Sequence, residues 1–227
     1  MYIYPKIETV FNRDMSGSKK LIEGDFRSKT IKMLSGSYIW NAYEKLDGSN
    51  HQISWDGHRL SFGGRTERSC ITVPVQDIFN NCFNNNETEE IFEQLFGDKP
   101  MVLYFEAVGP KIQSYGRFYA DVPTLILLDV YNVNNNSWWD FEGICAVAKA
   151  LGVEHKQIMA TGSLREIIDF VKTKPTSIQA AYPLPIEGVV AIPSVELKDA
   201  NGERIIVKIK CCDHCEDWSS YIKQFIK

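Results

Sequence analysis

The sequence lacks any long apolar stretch, and no segment approaches the roughly 20 consecutive apolar residues that cross a lipid bilayer. Its first residues also lack the basic segment and the apolar run of a secretory signal. Positive charge is not in excess, because the formal net charge is −4 at pH 7. We therefore expect a cytoplasmic protein without a membrane partner, which could attract nucleic acid only through local basic clusters.

The sequence also lacks a second Cys-x-x-Cys pair beside Cys212 and Cys215, although it contains six cysteines. Three of them fall in the run Cys211-Cys212-Asp213-His214-Cys215, which raises the question of a zinc site. Structural zinc sites normally take two ligand pairs from separated turns, and no second pair is visible. In a chain without a secretory signal, reduced thiols are the better expectation.

Four local clusters of basic residues stand out against the negative net charge. A solvated surface explains such clusters equally well, and only the last two coincide with the motifs described below. The clusters are Arg13 with Lys19 and Lys20; Arg27 with Lys29 and Lys32; Arg59 with Arg65 and Arg68; and Lys208 with Lys210.

Periodicity and turn residues predict an α+β fold. Asp56-Gly57 separates two alternating segments, 51–55 and 59–62, and is typical of a β-hairpin turn. Since repeats and long linkers are missing, we expect one compact domain over residues 1–227. Further strands are predicted at 101–107, 124–131, 186–192 and 204–210; helices at 87–96, 140–152 and 163–172, with a packing helix at about 217–227; and a loop at 80–86.

The segment Lys45-Leu46-Asp47-Gly48-Ser49-Asn50 lies between an apolar approach and this hairpin. A lysine amine can attack phosphorus only when it is deprotonated, so it must be desolvated or placed near other cations. Lys-x-Asp-Gly alone fits a surface turn at least as well as it fits a nucleophile. Only other motifs in the chain can distinguish a nucleophile from a surface turn.

Five further segments follow Lys45 in an order that resembles the motifs of the covalent nucleotidyltransferases: DNA ligases, RNA ligases and mRNA capping enzymes. Each segment alone also fits an ordinary strand end or turn, but the ordered set does not. The segments are Gly63-Gly64-Arg65-Thr66, Tyr104-Phe105-Glu106-Ala107, Leu127-Leu128-Asp129-Val130, Ile186-Glu187-Gly188-Val189 and Val207-Lys208-Ile209-Lys210.

Within that superfamily the chain is most similar to the RNA ligase 2-like branch, and its N-terminal stretch looks like that of small phage-type RNA ligases. A phage origin is therefore left open. The features that carry this placement are Asn50, the Arg65-Thr66 pair and the run from Glu106 to Gln113. The resemblance implies a nucleotidyltransferase domain of antiparallel sheets flanked by helices. It also implies an ATP-dependent RNA ligase that joins 3′-hydroxyl and 5′-phosphate RNA ends through a lysyl-AMP intermediate.

The resemblance also implies roles for individual residues. Lys45 is the expected nucleophile, and Lys208 and Lys210 stabilise the charge on the α-phosphate. Glu187 is the expected ligand of Mg²⁺ or Mn²⁺ as well as a nucleotide contact. The remaining expected site residues are Asp47, which orders the nucleophile loop and acts in catalysis, and the nucleotide contacts Glu44, Asn50, Arg65 and Glu106.

Two departures from the family pattern matter. An aromatic residue usually stacks on adenine before the Asp129 motif, but here that stretch reads Leu125-Ile126-Leu127-Leu128, so either aliphatic side chains or another aromatic hold the base. Only residues 211–227 follow Lys210, too few for an OB-fold domain, and we expect none. An end-healing partner enzyme is left open.

Two alternatives remain. The first is a GTP-dependent, capping-type guanylyltransferase, which uses Lys-x-Asp-Gly equally well but generally relies on an OB-fold domain. The second is a degenerate nucleotide-binding module without turnover. The charged positions that the chemistry needs are all filled in this chain, which a binding module would not require.

Overall fold

The computed structural model describes residues 2–66 and 68–226; Met1, Glu67 and Lys227 lie outside the described residues. The described chain forms two compact units, one of residues 2–5 and 47–156 and the other of residues 6–46 and 157–226. They are called the first unit and the second unit below. The single domain expected over residues 1–227 stays a prediction.

The strands and helices follow one another in this order: β1 (Glu8–Thr9), β2 (Phe11–Arg13), β3 (Leu21–Phe26), α1 (Lys29–Leu34), β4 (Trp40–Glu44), β5 (Ser49–Trp55), β6 (Leu60–Gly64), α2 (Val73–Ile78), a π-helical turn (Phe79–Phe83), α3 (Asn86–Phe96), β7 (Met101–Val108), a 3₁₀ turn (Gly116–Phe118), β8 (Thr124–Asn132), β9 (Ser137–Trp138), α4 (Phe141–Leu151), β10 (Glu154–His155), β11 (Ile158–Gly162), α5 (Leu164–Lys172), β12 (Gly188–Pro193), β13 (Val207–Lys210), a second 3₁₀ turn (Cys211–His214) and α6 (Trp218–Lys223).

The second unit is built on a five-stranded sheet in the order β1-β13-β12-β4-β11. All neighbours in it are antiparallel except β1 and β13, which are parallel. Its core includes Trp40, Leu164 and Val189, which are fully buried. In this order β12 lies between β4 and β13 and is antiparallel to both. The start of β12 and the carboxyl ends of β4 and β13 therefore lie at the same edge of the sheet.

The first unit is built on a six-stranded sheet whose main path runs β10-β8-β7-β5-β6, with β9 paired to β8. One face of this sheet packs against α2, α3 and α4 through a core rich in aromatic residues, including Phe79, Phe92 and Phe105. The hairpin of β5 and β6 turns at Gly57, which has a φ of 105°. The Asp56 carboxylate closes that turn by accepting hydrogen bonds from the backbone N–H groups of His58 and Arg59, both at 2.8 Å.

The α+β class with antiparallel sheets and flanking helices is confirmed. The sheets of the described residues are open, with no closed barrel among them. The helices predicted at 140–152 and 163–172 are present, with capped ends: Asp140 accepts a hydrogen bond from the Gly143 N–H, and Gly152 ends α4 in the left-handed conformation. Ser163 and Glu166 form a complete capping box at the start of α5.

Two local predictions are wrong. The Asn-rich stretch 80–86 is not a simple loop, because residues 79–83 form a π-helical turn that buries Phe79 and Phe83 in the core. In the tail, Asp217 caps α6, and Trp218 and Ile222 pack inward, but Phe225 follows the helix and is 39% exposed. The helix predicted at about 217–227 is therefore shorter than expected, and its last predicted residue, Lys227, lies outside the described residues.

Candidate active site

Lys45 is the first residue after β4, and the backbone holds it in place. Its N–H donates a hydrogen bond of 2.9 Å to the carbonyl of Gly188, the first residue of β12. The strand before it is anchored at Trp40, which is fully buried and donates from its indole N–H to the Leu34 carbonyl. The side chain of Lys45 is 25% exposed, so it is partly desolvated and still reachable.

Glu187 joins two lysines at the end of this sheet. The Nζ of Lys45 lies 2.7 Å from Glu187 Oε2, and the Nζ of Lys210 lies 2.5 Å from Glu187 Oε1. The side chain of Glu187 is only 20% exposed. Each carboxylate oxygen therefore has its own ammonium partner, and the three charged groups form one partly buried cluster.

Gly188 allows this cluster to form, because it lets β12 approach β13 closely. A Cβ atom built at Gly188 would lie 2.2 Å from the carbonyl oxygen of Ile209 and 2.7 Å from the Cα of Lys210. Both neighbours are backbone atoms, which cannot move aside as a flexible side chain can. A side chain here would push Glu187 away from Lys210.

Lys208 and Lys210 alternate with Ile209 on β13, so their side chains leave the same face of the strand while the Ile209 side chain is buried in the core. Burial lowers the pKa of Lys208, and the nearby ammonium groups of Lys210 and Lys45 lower it further. Burial also acts to lower the pKa of Lys210, but its hydrogen bond to Glu187 and the charge of that carboxylate outweigh burial and raise it. Lys210 is therefore paired with a carboxylate, whereas Lys208 faces other cations.

Glu44 comes just before Lys45 and is 2% exposed. Its Oε2 accepts hydrogen bonds from the backbone N–H groups of Ile178 (3.2 Å) and Gln179 (3.3 Å). These two residues lie in the segment that leads from α5 to Glu187. Glu44 thus fixes that segment, in addition to its predicted place among the nucleotide contacts.

Three predicted site residues of the first unit lie around the start of β5. Asp47 accepts a hydrogen bond from the Tyr115 N–H at 2.9 Å. Asn50 donates to the Phe105 carbonyl at 3.3 Å, and its side-chain oxygen is buried without a hydrogen-bond partner in the described part of the chain. Since Asn50 pairs with Glu106 across β5 and β7, the two side chains share one face of the sheet.

Ile126 also belongs to this face, because it is the partner of Glu106 across β7 and β8. Leu125 and Leu127 instead point into the aromatic core on the other side of the sheet. Of the aliphatic residues expected to replace a stacking aromatic, Ile126 is thus the one beside Glu106. Arg65 follows β6, and its side chain is exposed.

Asp129, the acidic residue of the fourth motif, belongs to a buried polar network of the first unit. Its Oδ1 pairs with the Lys156 ammonium at 2.8 Å, and its Oδ2 accepts a hydrogen bond of 2.5 Å from the Tyr4 hydroxyl. The side chains of Asp129 and Lys156 are 1% and 5% exposed. No local spacing in the sequence indicates these two partners, which lie 125 and 27 residues from Asp129.

The structure therefore groups the predicted residues within each unit. Lys45, Glu187, Lys208 and Lys210 cluster in the second unit, whereas Asp47, Asn50 and Glu106 lie near one another in the first. The described residues contain no group of three or more metal-ligating side chains. A single hard carboxylate suits Mg²⁺ or Mn²⁺ bound together with phosphate oxygens, because Mg²⁺ usually takes only one or two protein carboxylates.

The six cysteines are free thiols in this structure, including Cys211, Cys212 and Cys215. Cys211 is buried, and burial raises the pKa of its thiol to about 12. No helix of the described residues is both long enough and apolar enough to cross a membrane.

Comparison with solved structures finds the same fold in RNA ligases. A mutant Naegleria gruberi RNA ligase with ATP and Mn matches with a TM-score of 0.59 and 14% identity, over 99% of this chain and 63% of that chain. The Naegleria gruberi enzyme with PPi gives 0.60 and 16%, over 96% and 64%. An archaeal ATP-dependent RNA ligase gives 0.57 and 16%, over 94% and 49%. This chain thus spans less than two thirds of the length of these structures.

Comparison with curated proteins gives no match. A sequence model of the RNA ligase family, in contrast, matches residues 39–210, about three quarters of the chain. The matched range includes Lys45, Glu187, Lys208 and Lys210, the four residues that the structure brings together in the second unit. The chain belongs to the RNA ligase family.

Proposed function

We propose that this protein is an ATP-dependent RNA ligase that joins RNA 3′-hydroxyl and 5′-phosphate ends through an AMP adduct on Lys45. The cluster of Lys45, Glu187 and Lys210 is the observation that carries the proposal. It places a nucleophilic amine, a hard carboxylate and a second cation within direct contact of one another. Covalent transfer of a nucleotide to lysine needs these three groups.

In the first step, the Lys45 amine attacks the α-phosphorus of ATP. The new bond joins Nζ to phosphorus, the bond to the pyrophosphate oxygen breaks, and pyrophosphate leaves with its electron pair. Lys208 and Lys210 point from one face of β13 and stabilise the negative charge that develops on the phosphate. The ammonium form of Lys45 must lose its proton before it attacks, so its ion pair with Glu187 describes the resting protein.

Glu187 is the residue that would hold Mg²⁺ or Mn²⁺. When bound there, the cation would offset charge on the phosphate oxygens and take the place of an ammonium group as a partner of the carboxylate. The chain itself supplies the position of that carboxylate, because Gly188 fixes the next residue of β12 against β13. Loss of the Glu187 charge therefore affects the metal contact and the two lysines together.

The later steps pass AMP to the RNA 5′-phosphate and then release it when the 3′-hydroxyl attacks. For these steps we retain the roles that the family resemblance implies. Asp47 orders the nucleophile loop, Glu106 and Asn50 contact the nucleotide, and Arg65 binds the ribose or the phosphates of the RNA end. Glu44 remains a proposed nucleotide contact, and a cytoplasmic location and an end-healing partner enzyme complete the proposal.

The test compares ATP and GTP as donors. The protein is incubated with either nucleotide, radiolabelled at the α-phosphate, together with Mg²⁺ and then separated on a denaturing gel. We expect a labelled band with ATP that disappears when pyrophosphate is added, followed by joining of 5′-phosphorylated RNA. A band with GTP alone would identify a capping-type guanylyltransferase, and no band with either nucleotide would contradict the proposal.

A further inference from the structure

Arg13, which the sequence shows only as part of a basic cluster, forms a specific ion pair within the second unit. Its Nη2 donates to both carboxylate oxygens of Asp213, each at 2.8 Å. Its Nη1 donates to the Lys19 carbonyl at 3.0 Å. The Asp213 side chain is 9% exposed and that of Arg13 is 33% exposed, so this is not an ordinary surface pair.

Asp213 lies in the 3₁₀ turn Cys211–His214, which begins immediately after Lys210. The backbone ties this turn to the site, because the Cys211 N–H donates to the Glu187 carbonyl at 2.9 Å. Lys210 is the cap residue of this turn, and Asp213 follows it by three residues, within one turn of the backbone. Lys210 therefore has two carboxylates in its surroundings, and its 2.5 Å ion pair is with Glu187.

The segment that carries Arg13 is well anchored. Arg13 ends β2, which pairs with β3, and the neighbouring Phe11 is 3% exposed and packs edge-on against Phe26. A guanidinium presented from such a segment can hold a carboxylate in a fixed position. If the guanidinium were removed, Asp213 would be left as a largely buried, unpaired charge, which is strongly unfavourable. Lys210, three residues away, would be a nearby cation to compensate it.

We propose that Arg13 is a positioning residue of the active site: it holds the Asp213 carboxylate away from Lys210, so that Lys210 stays on Glu187 and available to the phosphate. Arg13 acts through Asp213 and need not touch the nucleotide. The inference rests on the proposed function, since its effect on the reaction is measured by the formation of the Lys45 adduct.

The experiment measures single-turnover formation of the AMP adduct at saturating ATP, in the whole protein. Arg13→Ala should lower the rate constant on the order of tenfold, less than the loss of a preorganised charge contact itself costs, because Lys210 is displaced and not removed. The final amount of adduct should stay near one per protein, because Lys210 is displaced but the protein is folded. Arg13→Ala combined with Asp213→Asn should recover most of the rate, because the competing carboxylate is gone.

Arg165→Ala is the control. Arg165 lies on α5 in the same unit, is exposed, and its loss should leave the rate unchanged. Arg13→Lys keeps the positive charge and replaces Arg13→Ala as the test variant if Arg13→Ala does not fold. Its rate constant should lie between those of the wild type and Arg13→Ala.

Two outcomes would overturn the proposal. One is a wild-type rate in Arg13→Ala, and the other is a double variant as slow as Arg13→Ala. The first outcome rejects it even if the final amount of adduct is lower, since a lower amount at an unchanged rate indicates only a loss of folded protein. If the wild type forms no adduct, the proposed function fails instead, and hydrogen exchange of residues 211–214 still tests whether Arg13 holds the turn.

Discussion

At the scale of single residues, Glu187 has two tasks that variants can separate. Its carboxylate fixes Lys45 and Lys210, and it is the proposed ligand of the metal ion. A neutral amide of the same shape could still hydrogen-bond to a lysine, but it is a weaker ligand for a hard cation. Glutamine at this position therefore tests the charge and alanine tests the whole side chain.

We predict that Glu187→Ala lowers the rate of adduct formation on the order of 100-fold or more, the scale of one lost preorganised charge contact. Glu187→Gln should not restore the rate at any concentration of Mg²⁺. Rates across a Mg²⁺ and Mn²⁺ series provide the measurement. Wild-type metal dependence in Glu187→Ala would remove this residue from the proposed site.

A second prediction at this scale concerns acid stability. Burial lowers the pKa of His51 from its ordinary value of 6.5, and burial together with Lys172 lowers the pKa of His214. The folded protein therefore binds protons at these sites less readily than the unfolded chain does. Their contribution to stability is complete above about pH 6.5 and is lost as the pH falls through the lowered folded pKa values.

We thus expect the free energy of unfolding to fall on acidification below about pH 6.5. His51→Gln should reduce the slope of that fall, measured by urea denaturation at a series of pH values. The matched control variant is His58→Gln, which removes an exposed imidazole. If the free energy of unfolding fell equally steeply in the wild type and in His51→Gln, another group would be responsible for the loss of stability in acid.

At the scale of elements, the sequence predicted what depends on local chemistry. The hairpin at Asp56-Gly57 and the start of a helix at Ser163 are correct, because the hydrogen bonds that fix each of them lie within a few residues. The tertiary core decided the rest: Phe79 and Phe83 convert an Asn-rich stretch into a π-helical turn by burying their rings. The local spacing of residues does not show that these two rings are buried in the core.

The same distinction applies to the site. The fixed order of the motifs pointed to Lys45, Glu187, Lys208 and Lys210, and the structure groups these four; their roles stay predictions. The pair of Arg13 with Asp213 joins residues 200 positions apart, and nothing in either neighbourhood indicates the other. Long-range ion pairs depend on sheet order, which a single sequence does not give.

Our prediction for the elements concerns the approach of β12 to β13. Gly188→Ala should destabilise the protein by about 1–3 kcal/mol, the usual cost of overpacking, because the new Cβ meets two backbone atoms. It should also slow adduct formation, since Glu187 and Lys210 would be pushed apart. Urea denaturation and the labelling rate check both effects.

Gly17→Ala is the control, because a Cβ atom there would have no neighbour within 4 Å. Unchanged stability and rate in Gly188→Ala would mean that the two strands can separate locally without disturbing the cluster.

At the scale of the whole molecule, the net charge of −4 gives no general attraction for RNA. We propose that exposed basic residues of the first unit supply most of the phosphate contacts. We predict weak RNA binding with a steep salt dependence, because release of counterions dominates such affinity. The residues concerned are Arg59, Arg65, Arg68, Lys111 and Arg117.

The measurement is the affinity for 5′-phosphorylated RNA across a salt series, as a nicked duplex and as free single strands. Each lost phosphate contact should reduce the slope of log affinity against log salt, by about 0.7 for a single strand. Arg117→Ala should lower that slope without changing the rate of Lys45 adduct formation. Tight binding that does not respond to salt would show a dedicated RNA surface elsewhere in the protein.

The central claim is that Lys45 carries the nucleotide, and one measurement tests it most directly. The protein is incubated with ATP and Mg²⁺, digested and examined by mass spectrometry for a peptide with one added AMP. We predict a single adduct on Lys45 that is missing in Lys45→Ala and in Lys45→Arg, since a guanidinium stays protonated and is a poor nucleophile. An adduct on another residue, or wild-type labelling of Lys45→Ala, would contradict the account.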